Sequence, residues 1–307
     1  MIRRPTDEQP TPGVRCPVCN CERTALAHKG ELAVGDPVSF SYSFSPDHNK
    51  TLPVYSCADC RHHFCSPVPA DISSAYESTV DQEYLNHEAS RKAAASKLVQ
   101  VIKRSKSSGL LLDVGCATGD FIEVAAEHGY QCEGLELSAW SAAICAQRGF
   151  PVHRNRLEDF AATHAGRYDV VTLWGVIEHF ADPSRELGYI EKILKPGGVL
   201  ALWTGDVSSF TSRVLGRRWW YWQSQHIQYF SKASLTRLLE KHGLSVEVDS
   251  IYPFATTSET MNNSLKRYRS HDLLMAVLRP FFKVRPTWFL HVPGEMLVIA
   301  RKAGHRP

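Results

Sequence analysis

The chain has 307 residues, of which 43% are hydrophobic and 22% are charged, and its formal net charge is +3 at pH 7. At roughly 150 residues per domain, this length predicts two units, or one α/β domain with an appendage, and the composition excludes a collagen-like, coiled-coil or disordered chain. The opening residues MIRRPTDEQPTP contain no apolar run, and no stretch approaches the ~18 consecutive apolar residues of a membrane span. We therefore expect a cytoplasmic protein.

The charge is distributed unevenly along the chain. Residues 1–70 hold seven Lys and Arg against seven Asp and Glu, whereas residues 252–294 hold six against two. A partner that prefers a basic surface is therefore expected to meet the later segment and not the first 70 residues.

Six of the nine cysteines lie in the first 65 residues, within VRCPVCNC (14–21) and VYSCADCRHHFC (54–65). In a chain with no recognisable export signal, this pattern favours metal ligation over disulfides. Two C-x-x-C pairs place four thiolates around one Zn²⁺, and the predicted ligands are Cys16, Cys19, Cys57 and Cys60. The segment VSFSYSF (38–44) alternates like a strand of a small β ribbon. We therefore predict a zinc-ribbon-like module over residues 1–70, with a structural zinc ion.

Other interpretations of this module remain open. The cysteines could bind no metal, or one of four nearby residues could replace a ligand: Cys21, His62, His63 and Cys65. Zinc ribbons often bind nucleic acid, but a module with no surplus of Lys and Arg argues against phosphate binding. A scaffolding or substrate-capping role is the better prediction.

The segment that follows, residues 71–108, is predicted to be a linking helix. From Ala75 to Lys106 it lacks Pro and Gly, and Leu98, Val99 and Ile102 recur at helical spacing. Tyr84 would then either approach the mouth of a cofactor site on the next domain or simply pack there.

A glycine-rich turn follows the linking segment. The apolar run LLLDVG (110–115) is followed by CATG and by the helical pattern FIEVAAEHG, so that Gly115 and Gly119 flank a strand–turn–helix junction. Backbone amides at such a junction face a ligand at the carboxyl edge of the sheet. The next strand, YQCEGLE, ends at Glu136, where a carboxylate can accept both hydroxyls of a ribose. The sequence DVGCATG lacks the G-x-G-x-x-G of dinucleotide folds.

Instead, the pattern D-x-G-x-x-x-G beginning at Asp113 resembles motif I of class I S-adenosylmethionine (SAM) dependent methyltransferases. Three later segments resemble, in the same order, those of a group that includes ubiquinone-biosynthesis, natural-product and glycan methyltransferases. They are YDVVTLWGVIEHFADP (168–183), LKPGGVLALWT (194–204) and HIQYFSKASLTRLLEKHGLSVEVDS (226–250). The resemblance covers about residues 110 to 301. It implies a methyltransferase domain over residues 109–307. The fold would be α/β, with a doubly wound, seven-stranded Rossmann-like sheet, and the final strand, GEMLVIARKA (294–303), would be antiparallel.

The resemblance also implies a set of cofactor-binding residues. The amino-acid end of SAM would lie against Asp113, Gly115, Cys116 and Gly119, with the turn contributing amides and not a reactive thiol; Glu136 and Leu137 would border the ribose, and Leu157 the adenine. Trp174 would line the cofactor or act as a core tryptophan. Relatives often carry Asp where Arg156 stands, so the amide and side chain of Leu157 would contribute there instead.

Two histidines are candidate general bases, because an imidazole can be unprotonated near neutral pH and still accept a proton. His179 follows the fourth strand of the resemblance, and His226 begins HIQYF. The alternative for each is a hydrogen bond that orders its loop. Ubiquinone-type enzymes carry M-E-V-L-E-H where this chain has W-G-V-I-E-H, so the first acid is missing. Because two ligands seldom suffice for Mg²⁺, no catalytic metal is predicted.

Two insertions flank the expected acceptor site. The first, 205–225, carries Trp219, Trp220, Tyr221 and Trp222, which would form either a stacking lid or a hydrophobic plug. The second, 252–293, is basic and apolar, and would lie on a membrane, cover a lipid-linked acceptor or, as we slightly favour, pack on the sheet.

Together these features predict SAM-dependent methylation, with oxygen favoured as the acceptor atom, of a small-molecule or glycan-type acceptor. An RNA methyltransferase and a non-catalytic SAM-binding protein are the alternatives.

Overall fold

The computed structural model describes residues 11, 13–36, 50–68, 72–258, 261–262, 271–284, 287–291 and 293–304. The ribbon strand predicted at 38–44 lies outside these residues. No helix in the described ranges is long and apolar enough to cross a bilayer.

A seven-stranded sheet forms the centre of the fold, as the sequence predicts. Its strands are β4 (Gly109–Val114), β5 (Tyr130–Leu135), β6 (Val152–His153), β7 (Tyr168–Trp174), β8 (Leu194–Gly205), β10 (Leu244–Ile251) and β13 (Glu295–Lys302). They are arranged in the order β10-β13-β8-β7-β4-β5-β6. Only β13 runs antiparallel to its neighbours, β8 and β10, while the other pairs in this sheet are parallel. The prediction of an antiparallel final strand is confirmed.

Helices cover both faces of this sheet. They are α3 (Glu88–Ser105), α4 (Asp120–Glu127), α5 (Ala139–Gln147), α6 (Leu157–Thr163), α7 (Pro183–Ile193) and α9 (Lys232–Lys241). Successive residues of β4 and β7 belong to opposite core clusters: Leu111 and Val170 pack in one, Leu112 and Val171 in the other. Burial on both faces explains why these strands are continuously apolar.

The amino-terminal strands form a second sheet. Strands β1 (Thr24–His28), β2 (Val54–Cys57) and β3 (His63–Cys65) are joined by β9 (Gln228–Tyr229), in the order β1-β2-β3-β9 with antiparallel pairing. The fourth strand comes from the HIQYF segment, about 160 residues later in the chain. The ribbon is therefore completed by the part of the chain that carries the methyltransferase motifs.

The linking segment differs from the prediction. Instead of one helix across 71–108, the chain forms α1 (Ile72–Glu77), α2 (Gln82–Leu85) and then α3. Asp81 is the N-cap of α2, and its carboxylate accepts a hydrogen bond from the Tyr84 amide at 3.2 Å. An Asp that caps a new helix competes with continuation of the preceding one, so the prediction of a single helix was wrong.

The insertions carry elements of their own. The first contains α8 (Phe210–Leu215), and the second contains β11 (Phe254–Thr257), α10 (His271–Val284) and β12 (Thr287–Leu290). Strands β11 and β12 pair with each other and pack against α3.

Candidate cofactor and acceptor site

The glycine turn after β4 adopts the geometry that its sequence predicts. Gly115 and Gly119 have φ values of +71° and +88°, a region that residues with a Cβ rarely adopt. A Cβ on Gly119 would lie 2.6 Å from the Cys145 sulfur, and one on Gly115 would lie 2.7 Å from Val176. Both positions therefore require glycine, and the turn packs directly against the loop that follows β7.

Glu136 follows β5 and faces the same turn. Its carboxylate accepts hydrogen bonds from the Ala117 amide at 2.9 Å and from the Ser138 amide at 2.8 Å. Burial raises the pKa of this carboxyl group. The acid predicted for the ribose and the turn predicted for the amino-acid end are thus brought together at the carboxyl ends of adjacent strands.

Asp113 is a buried residue near the end of β4, two residues before Gly115. Its Oδ1 accepts a hydrogen bond from the Thr172 hydroxyl at 2.6 Å, and burial raises its pKa to about 8. The sequence pattern did not identify Thr172, whose relation to Asp113 depends on the pairing of β4 with β7.

The remaining predicted cofactor residues surround this turn. Cys116 is buried, and a Cβ on Gly134 would lie 2.5 Å from its sulfur, so the thiol faces the sheet as an ordinary packing group. Trp174 packs against Phe121 with ring centroids 4.9 Å apart, and its buried Nε1 has no hydrogen-bond partner among the described residues. Leu137 is half-buried and follows Glu136, whereas Leu157 is buried and begins α6.

The two candidate bases lie in contact with each other beyond β7. The ring centroids of His179 and His226 are 4.9 Å apart. His179 Nδ1 donates to the Gln225 carbonyl at 2.8 Å, and His226 Nδ1 donates to the Tyr221 carbonyl at 2.8 Å. These bonds place the proton of each neutral ring on Nδ1 and fix the orientation of both imidazoles.

Glu178 is buried beside the pair. Its carboxylate accepts hydrogen bonds from the Tyr221 hydroxyl and, at 3.0 Å, from the Thr204 hydroxyl. Burial raises its pKa to about 7. One ligand atom each from Glu178, His179 and His226 lies within 4.8 Å of the others. The prediction of no catalytic metal rested on only two ligands, and that count was too low because it did not include His226.

The short helices of the linking segment close over this edge. Ser138 Oγ donates to the Thr79 carbonyl at 2.8 Å, and the Tyr76 ring lies 5.6 Å from that of His179. Tyr84 packs under the Arg91 guanidinium, whose partner Asp120 begins α4. Helix α1 and the residue Thr79 after it therefore connect the segment that follows β5, at Ser138, with His179, a role of Tyr76 that the sequence did not reveal.

The aromatic run of the first insertion forms a plug and not a surface lid. Trp219, Tyr221 and Trp222 are at most 3% exposed. They pack with residues of the ribbon and of β9: Leu52, Val54, Cys65, Ile227 and Tyr229. Of the two interpretations left open by the sequence, the structure supports the hydrophobic one.

The four predicted metal ligands of the ribbon converge. The sulfurs of Cys16 and Cys60 are 3.5 Å apart, those of Cys19 and Cys57 are 3.6 Å apart, and all four lie within 4.8 Å of one another. A tetrahedral zinc with Zn–S bonds of about 2.3 Å separates its sulfurs by roughly 3.8 Å. The cluster therefore has dimensions that fit such an ion.

Comparison with known proteins agrees with this geometry. Residues 85–248, more than half of the chain, match a family model described as a methyltransferase domain. A ubiquinone biosynthesis O-methyltransferase of Thiobacillus denitrificans is 27% identical over 172 residues, which are 52% of this chain and 71% of that protein. The corresponding enzyme of Sodalis glossinidius is 33% identical over 103 residues, and this chain spans only 41% of its length.

Solved structures share the fold at low sequence identity. A SAM-dependent methyltransferase from Archaeoglobus fulgidus aligns with a TM-score of 0.51 and 18% identity, covering 72% of this chain and 100% of that one. The 1,6-didemethyltoxoflavin-N1-methyltransferase of Burkholderia thailandensis, solved with S-adenosylhomocysteine, aligns with a TM-score of 0.50 and 14% identity, covering 80% and 98%. On its sequence and its fold, the chain belongs to the class I SAM-dependent methyltransferases.

Proposed function

We propose that this protein transfers the methyl group of SAM to an oxygen atom of a small organic acceptor. The observation that carries the proposal is the pair of oriented imidazoles, His179 and His226, beside a glycine turn and an acid suited to an adenosyl ligand. Val176 joins the two halves, since it packs against Gly115 and lies three residues before His179. The relatives from Thiobacillus denitrificans and Sodalis glossinidius are both ubiquinone biosynthesis O-methyltransferases, which supports oxygen as the acceptor atom.

In this proposal the cofactor lies across the carboxyl ends of β4 and β5. Asp113, Gly115, Cys116 and Gly119 border its amino-acid end, the cysteine through its backbone alone. The ribose lies on Glu136 and Leu137, where a ribose hydroxyl would compete with the amides that now donate to the Glu136 carboxylate. Leu157 borders the adenine, and the Nε1 of Trp174, which has no partner among the residues that the structure describes, supplies one more donor.

The methyl group of a sulfonium is already electrophilic, so the protein's task is to align an acceptor and exclude water. An oxygen acceptor that carries a proton needs a base. Burial lowers the pKa of His179 to about 4, so its ring is neutral at physiological pH and Nε2 carries the lone pair. Glu178 has an oxygen within 4.8 Å, and its pKa of about 7 leaves it partly ionised at neutral pH; its carboxylate form can stabilise the imidazolium that forms when His179 accepts a proton.

We further propose that Cys16, Cys19, Cys57 and Cys60 hold a structural zinc ion. The ion would fold the ribbon and perform no chemistry, because four thiolates leave no open coordination position.

An RNA methyltransferase that grips its substrate with the ribbon is less well supported. Arg15 pairs with Glu22, and Arg23 pairs with Asp59, so two of the ribbon's cations are already neutralised within it. A glycan acceptor and a non-catalytic protein remain alternatives that the first experiment below distinguishes.

One observation favours an acceptor presented at a lipid surface. Helix α10 exposes an apolar face formed by Leu273, Val277, Phe281 and Val284, between 55% and 87% exposed. Arg279 and Lys283 lie on the same helix. An exposed apolar stripe with cations is typical of helices that lie in a membrane interface, so the packed arrangement favoured by the sequence does not account for this face.

The proposed activity is tested by incubating the protein with methyl-labelled SAM and a host extract. We expect label in the small-molecule fraction, and we expect His179→Gln to reduce its rate of appearance by about 10²-fold or more with little change in SAM affinity. His128→Gln, at the end of α4 opposite the glycine turn, is the control and should behave as wild type. Label in RNA would support the RNA alternative, and label in the glycan fraction would support a glycan acceptor. No label in any fraction would contradict the enzymatic proposal and leave the non-catalytic alternative.

The protonation of His179 gives a second prediction. Its pKa is about 4 in the folded chain against an ordinary 6.5, so between these values only the unfolded chain binds the proton. The contribution of His179 to stability is therefore present above about pH 6.5 and is lost as the pH falls towards 4. An NMR titration should find this imidazole neutral at pH 5.5 in the folded protein. A folded-state midpoint near 6.5 would show that the ring is not shielded as described.

The metal site is tested by elemental analysis of the purified protein. We expect one zinc per chain, and substantial loss of zinc in Cys16→Ser and Cys57→Ser. Cys132→Ser, in β5, is the matched control and should retain the metal. A folded wild-type protein without zinc would rule out the ribbon site.

The exposed face of α10 is tested with vesicles that contain phosphatidylglycerol. At low salt, wild-type protein should sediment with the vesicles, whereas Phe281→Asp should remain largely in solution because a charge replaces an inserted ring. Val34→Asp, an equally exposed apolar site in the ribbon, should leave binding intact. Equal recovery of wild type and Phe281→Asp in the supernatant would exclude an interfacial role for this helix.

A further inference from the structure

The amino-terminal ribbon shares a strand with the loop region that carries the candidate bases. We propose that the ribbon positions the acceptor half of the active site, and that Gln228 is the positioning residue through which it acts on His179 and His226. This inference rests on the proposed role of the two histidines. The ribbon would therefore orient the two histidines without itself binding the substrate.

The first connection is through the backbone. In the pairing of β3 with β9, Phe64 lies opposite Gln228. Just beyond this pair, the amide of Cys65 donates to the Ile227 carbonyl at 2.8 Å, and the amide of Ile227 donates to the Glu178 carbonyl at 3.0 Å. Ile227 is therefore held between the ribbon on one side and the turn Ile177–His179 on the other.

The second connection is through the side chain of Gln228, which is 1% exposed. Its Oε1 accepts a hydrogen bond from His62 Nε2 at 2.8 Å, and its Nε2 donates to the Phe180 carbonyl at 3.0 Å. One amide thus joins the ribbon to the residue that follows His179. Because a buried polar group left without a partner is costly, this bridge resists displacement of either side.

The ribbon end of the bridge is packed as well as bonded. The buried ring of His62 lies 4.6 Å from that of Phe230 and 6.0 Å from that of Phe64. Three of the proposed zinc ligands belong to the same core cluster as Phe64 and Phe230: Cys16, Cys57 and Cys60. The amide of Cys57 also donates to the His62 carbonyl at 2.8 Å, so a proposed zinc ligand is bonded directly to the residue that holds Gln228.

The segment that β9 fixes also sets the orientation of the bases. His179 donates from Nδ1 to the Gln225 carbonyl, and His226 lies on the same segment. A shift of residues 225–228 would move the Gln225 carbonyl, which orients His179, and the ring of His226. It would therefore change the direction in which the Nε2 atom of each histidine points. The cofactor half is held differently, by hydrogen bonds from Ala117 and Ser138 to Glu136.

The inference predicts a local effect that can be measured without knowing the acceptor. Hydrogen–deuterium exchange is followed by mass spectrometry in the full chain saturated with S-adenosylhomocysteine. Gln228→Met and His62→Leu each remove the bridge while keeping apolar volume. We expect peptides covering 176–181 and 223–230 to exchange at least about tenfold faster, because His62→Leu removes one buried hydrogen bond of the bridge and Gln228→Met removes two, while peptides covering 113–120 and 134–141 are unchanged.

Two further variants and one treatment make the test specific. His62→Gln places an amide N–H near the position of the imidazole Nε2 and should restore slow exchange, whereas His63→Leu, the same change at the next residue, where β3 begins, should have no effect on 223–230. Removing zinc from the wild-type protein with a chelator should accelerate the same two peptides as Gln228→Met. If Gln228→Met does not fold, the comparison of His62→Leu with His62→Gln decides the question.

The outcomes separate this inference from the proposed function. Unchanged exchange in 176–181 and 223–230 for His62→Leu and Gln228→Met, in protein that still binds S-adenosylhomocysteine, would overturn the positioning role and leave the methyltransferase proposal standing. Equal acceleration in the cofactor peptides would also overturn it, because the effect would then be general. A wild-type protein that does not bind S-adenosylhomocysteine in calorimetry would instead count against the proposed function.

Discussion

The site depends on one constraint, which is that parallel strands deliver all their following loops to the same edge of the sheet. Strands β4, β5 and β7 end side by side, so the turn at Gly115, the acid Glu136 and the histidine His179 meet although they are widely separated in the chain. The positive φ angles at Gly115 and Gly119 let this edge pack closely, with Val176 in contact with the turn. The proposed cofactor half and the proposed acceptor half are therefore adjacent.

The two halves of the proposed site are held in place by different kinds of interaction. The cofactor half is built from backbone amides and one carboxylate on the central sheet, a rigid arrangement within a few residues of β4 and β5. The acceptor half is built from loops after β7 and β8, and its order comes from long-range contacts with the ribbon and with the buried aromatic plug. Loops of this kind need support from elsewhere to hold catalytic groups in one orientation. In this chain the support comes from the amino-terminal module.

The sequence predicted the sheet and the cofactor turn because both depend on local patterns. A continuous apolar strand, a glycine turn and a helix can be recognised within about 20 residues, and the four ribbon cysteines are recognisable from their paired spacing. Of the features that were missed, three depend on contacts between distant parts of the chain. Thr172 meets Asp113 through strand pairing, Tyr221 meets Glu178 through the folding of an insertion, and β9 pairs with the ribbon. The break in the linking helix was missed for a local reason, since Asp81 had a capping role that the helical periodicity obscured.

The central claim is that the edge between Asp113 and Ser138 binds an adenosyl ligand. Isothermal titration calorimetry of the purified, folded chain with S-adenosylhomocysteine tests it most directly. We predict one binding site per chain, with affinity at least about tenfold weaker in Glu136→Ala because the carboxylate that would hold the ribose is lost, and unchanged in Glu158→Ala, an exposed acid on α6. The absence of any binding heat with the folded wild-type protein, or equal affinity in Glu136→Ala, would contradict the account.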